Sequence, residues 1–165
     1  MTKQVSFIIR QFKLDDLDGV ISINRKCLPE NYPDRFFRLT FSEFPSGFHV
    51  CEMDGKLVGY TMARIEGGLS LFSVFHRAKK GHTISIAVLP EYRLMGIGSS
   101  LLNASVKAMI DKEATELFLE VRVSNIGGVK LYEAIDYEII KEIHHYYRDS
   151  ESAYLMAKKL KKPKD

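Results

Sequence analysis

Apolar and polar positions along the chain alternate between two periods, and the switches between them mark the elements. The run "SFIIRQF" reads as a first strand. In "KLDDLDGVISINRKC", Leu17, Ile21 and Asn24 fall at helical spacing, with Asp15 and Asp16 suited to a first turn. "CLPENYPDRFFRLTFSEF" opens as a proline-broken loop and continues as a short aromatic helix. "GFHVCEMDGKLVGYTMARIE" is two alternating runs joined at Asp54-Gly55, the pattern of a hairpin. "GGLSLFSVFHRAKKG" reads as a connection, with strand continuing into it from either end as the alternative.

The second half repeats strand and helix in turn. "HTISIAVL" is a strand closed by Leu89-Pro90. Leu102, Val106 and Met109 lie at i, i+4 and i+7, widened by Leu101 and Ala108, which predicts an amphipathic helix ending near Lys112. "ELFLEVRV" places Leu117, Leu119, Val121 and Val123 on one face and Phe118, Glu120 and Arg122 on the other. "SNIGGVKLYEAI" predicts a short helix, and "YEIIKEI" and "ESAYLMAKKL" two closing strands. The order βα(α)ββ–β–α–β–α–ββ is that of an α+β, or mixed α/β, domain. Strands 82–88 and 117–123, joined through a helix, are expected to be parallel neighbours. One domain over residues 1–160 is expected, with a basic tail at 161–165.

Composition narrows the class. The 165 residues are 45% hydrophobic and 27% charged, ordinary for a soluble globular protein. No apolar run reaches the length of a membrane span, and the N-terminus lacks a signal-peptide pattern. Cys27 and Cys51 have neither CxxC spacing nor zinc-ligand company, which fits unbridged thiols in a reducing cytoplasm. The net charge of +3 is unevenly placed, with Lys158, Lys159, Lys161, Lys162 and Lys164 crowded at the end. Such a block is a solvated tail or a weak contact for RNA or the ribosome.

The segment with the most chemistry is "EYRLMGIGSSLL" at 91–102. Glycine weakens a helix, so Gly96 and Gly98 at a helix start call for a reason, and close approach of backbone N–H groups to an anion is one. A Walker A loop needs a lysine after its last glycine, and no lysine follows these glycines. A dinucleotide fingerprint needs a third glycine where Leu101 stands. What remains is R-x-x-G-x-G, with Arg93 placed for a phosphate and Gly96, Ile97, Gly98 and Ser99 supplying amides. A glycine-bearing loop with no ligand is the plain alternative.

"ISIAVLPEYRLMGIGSSLL" followed by "LFLEVRVSNIGGVKLYEAIDYEI" resembles the GCN5-related N-acetyltransferase superfamily. "LPENYP" at 28–33, "GHTISIAV" at 81–88 and "YYRDSESAYLM" at 146–156 resemble the protein N-terminal acetyltransferases within it, of the ribosomal-protein and NatA catalytic-subunit types, archaeal forms included. The resemblance implies a mixed, mostly antiparallel sheet splayed between its two central parallel strands and flanked by helices. It implies acetyl-CoA as co-substrate and a free α-amino group of protein N-termini or nascent chains as acceptor, attacking directly through a tetrahedral intermediate. A relative that acetylates lysines or small amines, and an idle acetyl-CoA-binding module, are the alternatives. No membrane partner, no specific DNA binding and no resident metal are expected, while an auxiliary subunit or a homodimer is left open.

The resemblance also assigns residues. Ile86, Ala87 and Val88 would hold the pantetheine arm through main-chain bonds. Arg93, Leu94, Met95, Gly96, Ile97, Gly98 and Ser99 would hold the pyrophosphate, and Asn125 and Tyr132 the thiol end. Gly127 and Gly128 depart from the alanines common there. Glu30 and His82 are candidate bases, and Tyr132 the donor to the leaving thiolate. Tyr32, Tyr147, Glu120 and Arg122 would shape the substrate site together with Glu30. Each has a plainer reading: a solvated carboxylate for Glu30, a strand-start histidine bonded to backbone for His82, and packing for the tyrosines. His82 with Glu120 could trap a stray divalent ion, and His144-His145 read as surface residues.

Overall fold

The computed structural model describes residues 6–161, so Lys162 and Lys164 lie outside the described residues. Seven strands are ordered β1-β2-β3-β4-β5-β7-β6. They are β1 (Ile8–Gln11), β2 (His49–Met53), β3 (Lys56–Leu69), β4 (Arg77–Val88), β5 (Glu116–Arg122), β6 (Glu138–Ile143) and β7 (Ala153–Lys159). The helices are α1 (Leu17–Cys27), α2 (Asp34–Glu43), α3 (Ile97–Asp111) and α4 (Ile126–Glu133). The expected mixed α/β order is therefore present. The chain forms two compact units, Met1–Arg64 with Ser85–Ala108, and Ile65–Ile84 with Met109–Asp165.

In the first unit, the hairpin β2–β3 turns where Asp54 and Gly55 both take positive φ, 50° and 75°. That pair of left-handed residues matches the twist of two antiparallel strands. A bulge between Cys51 and Glu52 shifts the register, so Cys51 faces Gly59 while Glu52 faces Leu57. Cys51, Val58, Ile97 and Leu101 form one buried cluster. The buried stripe of α3 runs through Ile97, Leu101, Ser105 and Ala108, with Leu102 and Met109 beside it. Val106 is only half-buried, so the stripe sits one position off the expected one. A second core is aromatic: Phe12 stacks on Phe48 at 4.0 Å and meets Phe41 edge-on at 5.0 Å.

The entry to α1 is held by a charge cluster. Arg10 on β1 donates to both oxygens of Asp16 at 2.7 and 2.8 Å and to Glu52 at 3.1 Å. Asp16 also accepts from the Lys13 amide at 2.9 Å. The Arg10 guanidinium, with that amide, holds the Asp16 carboxyl below its ordinary pKa. A depressed carboxyl stabilises the fold fully above its unfolded value near 3.9 and loses that contribution as pH falls below it. Asp16→Asn is therefore expected to cost about 2 kcal/mol at neutral pH. Urea unfolding should show the gap between wild type and variant closing towards pH 3. An equal gap at pH 7 and pH 3 would refute it.

In the second unit, β3 and β4 reach further than their alternation suggested. Residues 67–69 and 77–81 extend them as strand, and only 70–76 remain as connection. Buried Glu116 accepts from the Ser70 hydroxyl and from the Leu71 amide at 2.8 Å, which pins the start of that connection. At its tip Val74 and Phe75 are exposed. β4 pairs with β5 in parallel over Lys80–His82 against Glu116–Phe118. β5 pairs with β7 antiparallel along its whole length, and β7 with β6. A register shift lies between Ile139 and Lys141. Phe118, Leu155 and Ala157 pack under Ile140 and Ile143. Lys158 and Lys159 belong to β7, and Lys158 donates to the Ile135 carbonyl at 2.9 Å and pairs with Asp136 at 3.6 Å. The lysine run is thus sheet at its start, not tail.

Candidate active site

The glycine loop belongs to the first unit and is built where β4 ends. Pro90 cannot continue the ladder and starts a short 3-10 turn at Pro90–Tyr92. Leu94 and Gly96 then take φ of 60° and 82°. These reversals aim the chain into α3, whose first N–H groups have no carbonyl one turn back. Ile97, Gly98 and Ser99 supply those amides, and Ser100 closes the first bond to the Gly96 carbonyl at 3.0 Å. A Cβ on Gly96 would meet nothing within 4 Å, so glycine is required by the positive φ and not by crowding. Leu94 is fully exposed, and Met95 is exposed too. Arg93 donates its Nε to the Val88 carbonyl at 2.9 Å, which ties the guanidinium to the end of β4. Cys27 lies against the same carbonyl, Sγ at 3.6 Å, and burial pushes its thiol upward, away from reactivity. Cys51 is pushed up to about 11 by burial. Exposed amides on a helix N-terminus beside an arginine fit a pyrophosphate, so the residues present suit a coenzyme A derivative.

The "LPENYP" segment also lies in the first unit, between α1 and α2. Glu30 and Tyr32 are half-buried. Tyr32 stacks on Phe36 at 4.6 Å and meets Phe37 edge-on at 6.0 Å, so α2 fixes its ring. Buried Asn24 on α1 donates to the Glu30 carbonyl at 3.1 Å.

In the second unit, His82 is the sixth residue of β4, not its first, because β4 begins at Arg77. Its ring nitrogens are bound by carboxylates and not by backbone. Nδ1 lies 3.0 Å from Glu66 and Nε2 2.7 Å from Glu120, while the ring stacks on Phe118 at 4.2 Å. A carboxylate at each ring nitrogen fixes the orientation of the imidazole. The three side chains, from β3, β4 and β5, form one hydrogen-bonded cluster. Arg122 on β5 donates to Asp149 at 2.8 Å and Glu151 at 3.1 Å, with its guanidinium 4.0 Å from the Tyr147 ring centre. The structure thus joins Glu120 to His82, and Arg122 to Tyr147.

α4 begins at Asn125, whose Oδ1 accepts from the Gly128 amide at 2.9 Å as an N-cap. The cap explains one of the two glycines, since a Cβ on Gly128 would come within 2.7 Å of the Asn125 amide. Tyr132 is buried, 6.1 Å from the ring of Tyr137, and burial raises its phenol to about 12. At neutral pH it is a proton-bearing hydroxyl that donates a hydrogen bond more readily than it gives up the proton.

Glu66 and Asp149 escaped the sequence reading. Glu66 and His82 are equidistant from position 74, so a hairpin read as closing there would have paired them. His144 and His145 follow the end of β6 in a turn, with His144 Nδ1 3.6 Å from Glu142. Among the described residues, no group of three or more His, Cys, Asp and Glu side chains is set to hold a metal ion. No helix among them is long and apolar enough to cross a membrane.

A mixed sheet with a glycine loop at a strand-to-helix junction defines a mixed α/β protein. Residues 17–137 match the acetyltransferase (GNAT) family, so the chain belongs to that family. It is 49% identical to an N-alpha-acetyltransferase of Sulfurisphaera tokodaii, over 94% of both chains. It is 35% identical to the N-terminal acetyltransferase A complex catalytic subunit of Arabidopsis thaliana, over 93% of this chain and 78% of that one. Its fold matches that of Chaetomium thermophilum Naa20 in complex with a bisubstrate analogue, with a TM-score of 0.82 and 29% identity over 93% and 86% of the two chains.

Proposed function

We propose that this protein transfers the acetyl group of acetyl-CoA to the α-amino group of protein N-termini. The observation that carries the reading is the 49% identity over 94% of both chains with an N-alpha-acetyltransferase, a likeness that runs nearly end to end. The amine chemistry agrees with the groups present. An α-amino group has a pKa near 7.7–8.0 and is roughly a tenth neutral at pH 7, so a modest proton acceptor serves. A lysine near 10.4 is neutral to less than about one part in a thousand and needs a stronger base.

In this reading Arg93 and the amides of Gly96–Ser99 bind the pyrophosphate, and Ile86–Val88 hold the pantetheine arm by their main chain. Val88 donates its amide towards the thioester oxygen. Glu30, Tyr32, Arg122 and Tyr147 hold the first residues of the acceptor, and His82 with Glu120 takes the amine's proton. Tyr132 supports the leaving sulfur as a hydrogen-bond donor, and Asn125 fixes the helix that carries it. Bound acetyl-CoA supplies the activated acyl group. A ribosome contact through the basic C-terminal residues belongs to the same proposal, with Lys158 already engaged by Ile135 and Asp136.

The test is acetyl-CoA consumption with two peptides of one sequence carrying an internal lysine, one with a free N-terminus and one with it blocked. The free peptide is expected to react and the blocked one to stay at background. Equal rates would move the acceptor to lysine. No turnover of either, with acetyl-CoA still bound, would favour a binding module.

A further inference from the structure

α1 carries an asparagine on the stripe that faces the core. Its buried positions are Leu17, Val20, Ile23 and Asn24, and Asn24 is wholly inaccessible. Asparagine is a mediocre helix former, and a buried amide is costly unless its groups are bonded. Leucine would fill the place with neither cost. Oδ1 of Asn24 is buried with no partner among the described residues, so the site tolerates an unpaired acceptor. What the side chain achieves lies on its nitrogen.

Nδ2 lies 3.1 Å from the Glu30 carbonyl and 3.0 Å from the Tyr60 hydroxyl, both within hydrogen-bond reach. The Tyr60 hydroxyl in turn lies 2.7 Å from the Ser85 hydroxyl. A carbonyl only accepts, so the amide nitrogen, not the oxygen, must face Glu30. One hydrogen of Nδ2 then serves Glu30 and the other serves Tyr60, whose own O–H is left to donate to Ser85. The bonds run outward from Asn24, one to the loop on Glu30 and the other through Tyr60 on β3 to Ser85 on β4, so the Tyr60 contact holds the amide in the orientation that serves Glu30. Asn24 also receives the Leu28 amide on its main-chain carbonyl at 2.9 Å. One residue therefore grips the segment at both Leu28 and Glu30. Ser85, at the far end, immediately precedes Ile86–Val88 on β4.

We propose that Asn24 is a positioning residue for the acceptor peptide, holding the main chain of 28–33 so that Glu30 and Tyr32 meet the substrate in one fixed conformation. It acts through Glu30 and touches no reacting atom. The inference rests on the N-terminal acetyltransferase reading above and adds a residue to it.

The experiment uses Asn24→Leu, which fills the volume and removes both donors, and Tyr60→Phe, which keeps the bond to Glu30 and removes only its support. Initial rates are measured with a free-amine peptide and acetyl-CoA varied in turn. Asn24→Leu is expected to raise the peptide KM about tenfold and Tyr60→Phe about threefold, with the acetyl-CoA KM within about twofold of wild type in both. A residue that merely stabilised the fold would lower the active fraction, and so kcat, and leave the KM of what remains unchanged. A wild-type peptide KM in Asn24→Leu, or both KM values rising together, overturns the proposal. Should Asn24→Leu fail to fold, a wild-type peptide KM in Tyr60→Phe overturns it instead. An inactive wild type would sink the function itself and this inference with it, whereas an active wild type with unaltered variants sinks this inference alone.

Discussion

His82→Gln is expected to lower kcat by at least about a hundredfold, the scale of losing a positioned proton acceptor. Glutamine can keep one hydrogen bond to Glu66 or Glu120, but it cannot take a proton. The acetyl-CoA KM should stay near wild type, because Arg93 to Ser99 are untouched. Part of any loss could come from the stacking on Phe118 and from a carboxylate left without its donor, so the variant's Tm is read beside its rate. A folded His82→Gln enzyme with kcat within about threefold of wild type would remove His82 from the chemistry. Glu30→Gln measured beside it then shows whether Glu30 is the acceptor instead.

The second large effect is on the fold. Gly81 has no positive φ, so its backbone asks for nothing unusual. A Cβ there, however, would lie 2.4 Å from the Met109 sulfur, 2.8 Å from Leu117 Cδ2 and 2.9 Å from Met109 Cβ. Such an approach forces side chains or backbone to move, and overpacking of this kind costs about 1–3 kcal/mol. We expect Gly81→Ala at the upper end, because Leu117 is fixed within β5 and Met109 Cβ on its helix. Met109→Ala should give back part of the loss when combined with it, since it removes the Met109 sulfur, the nearest of the three atoms, while keeping Cβ. Chemical unfolding of the two single variants and the double variant measures this coupling. Additive losses would show that the crowding is relieved elsewhere.

What the sequence disclosed follows from the range over which each feature acts. Asp54-Gly55 marks a turn through two adjacent left-handed residues, and alternation on either side sets the strands. The turn into α3 was legible for the same reason, since Pro90 and Gly96 act on their own backbone. The extension of β3 and β4 was harder to see. Gly67, Gly68, Ser70 and Ser73 interrupt the alternation, and the start of the connection is held by the distant Glu116. That is why Glu66 was missed beside His82. Asn24 was placed on the right stripe, but helical spacing cannot say that an amide on that stripe reaches Glu30 and Tyr60. Tertiary hydrogen bonds decide it, and they have no period.

The register shift in β6 bears on how the protein tolerates crowding. β6 lies at the end of the strand order, and such a border offers unpaired N–H and C=O groups to any other chain. Here Glu138, Lys141 and Glu142 stand exposed along it, and the irregularity between Ile139 and Lys141 spoils the even spacing that an added strand would need. Exposed Ile139 is therefore not part of a flat adhesive strip. Protection from edge-to-edge aggregation is written into this strand and needs no covering helix.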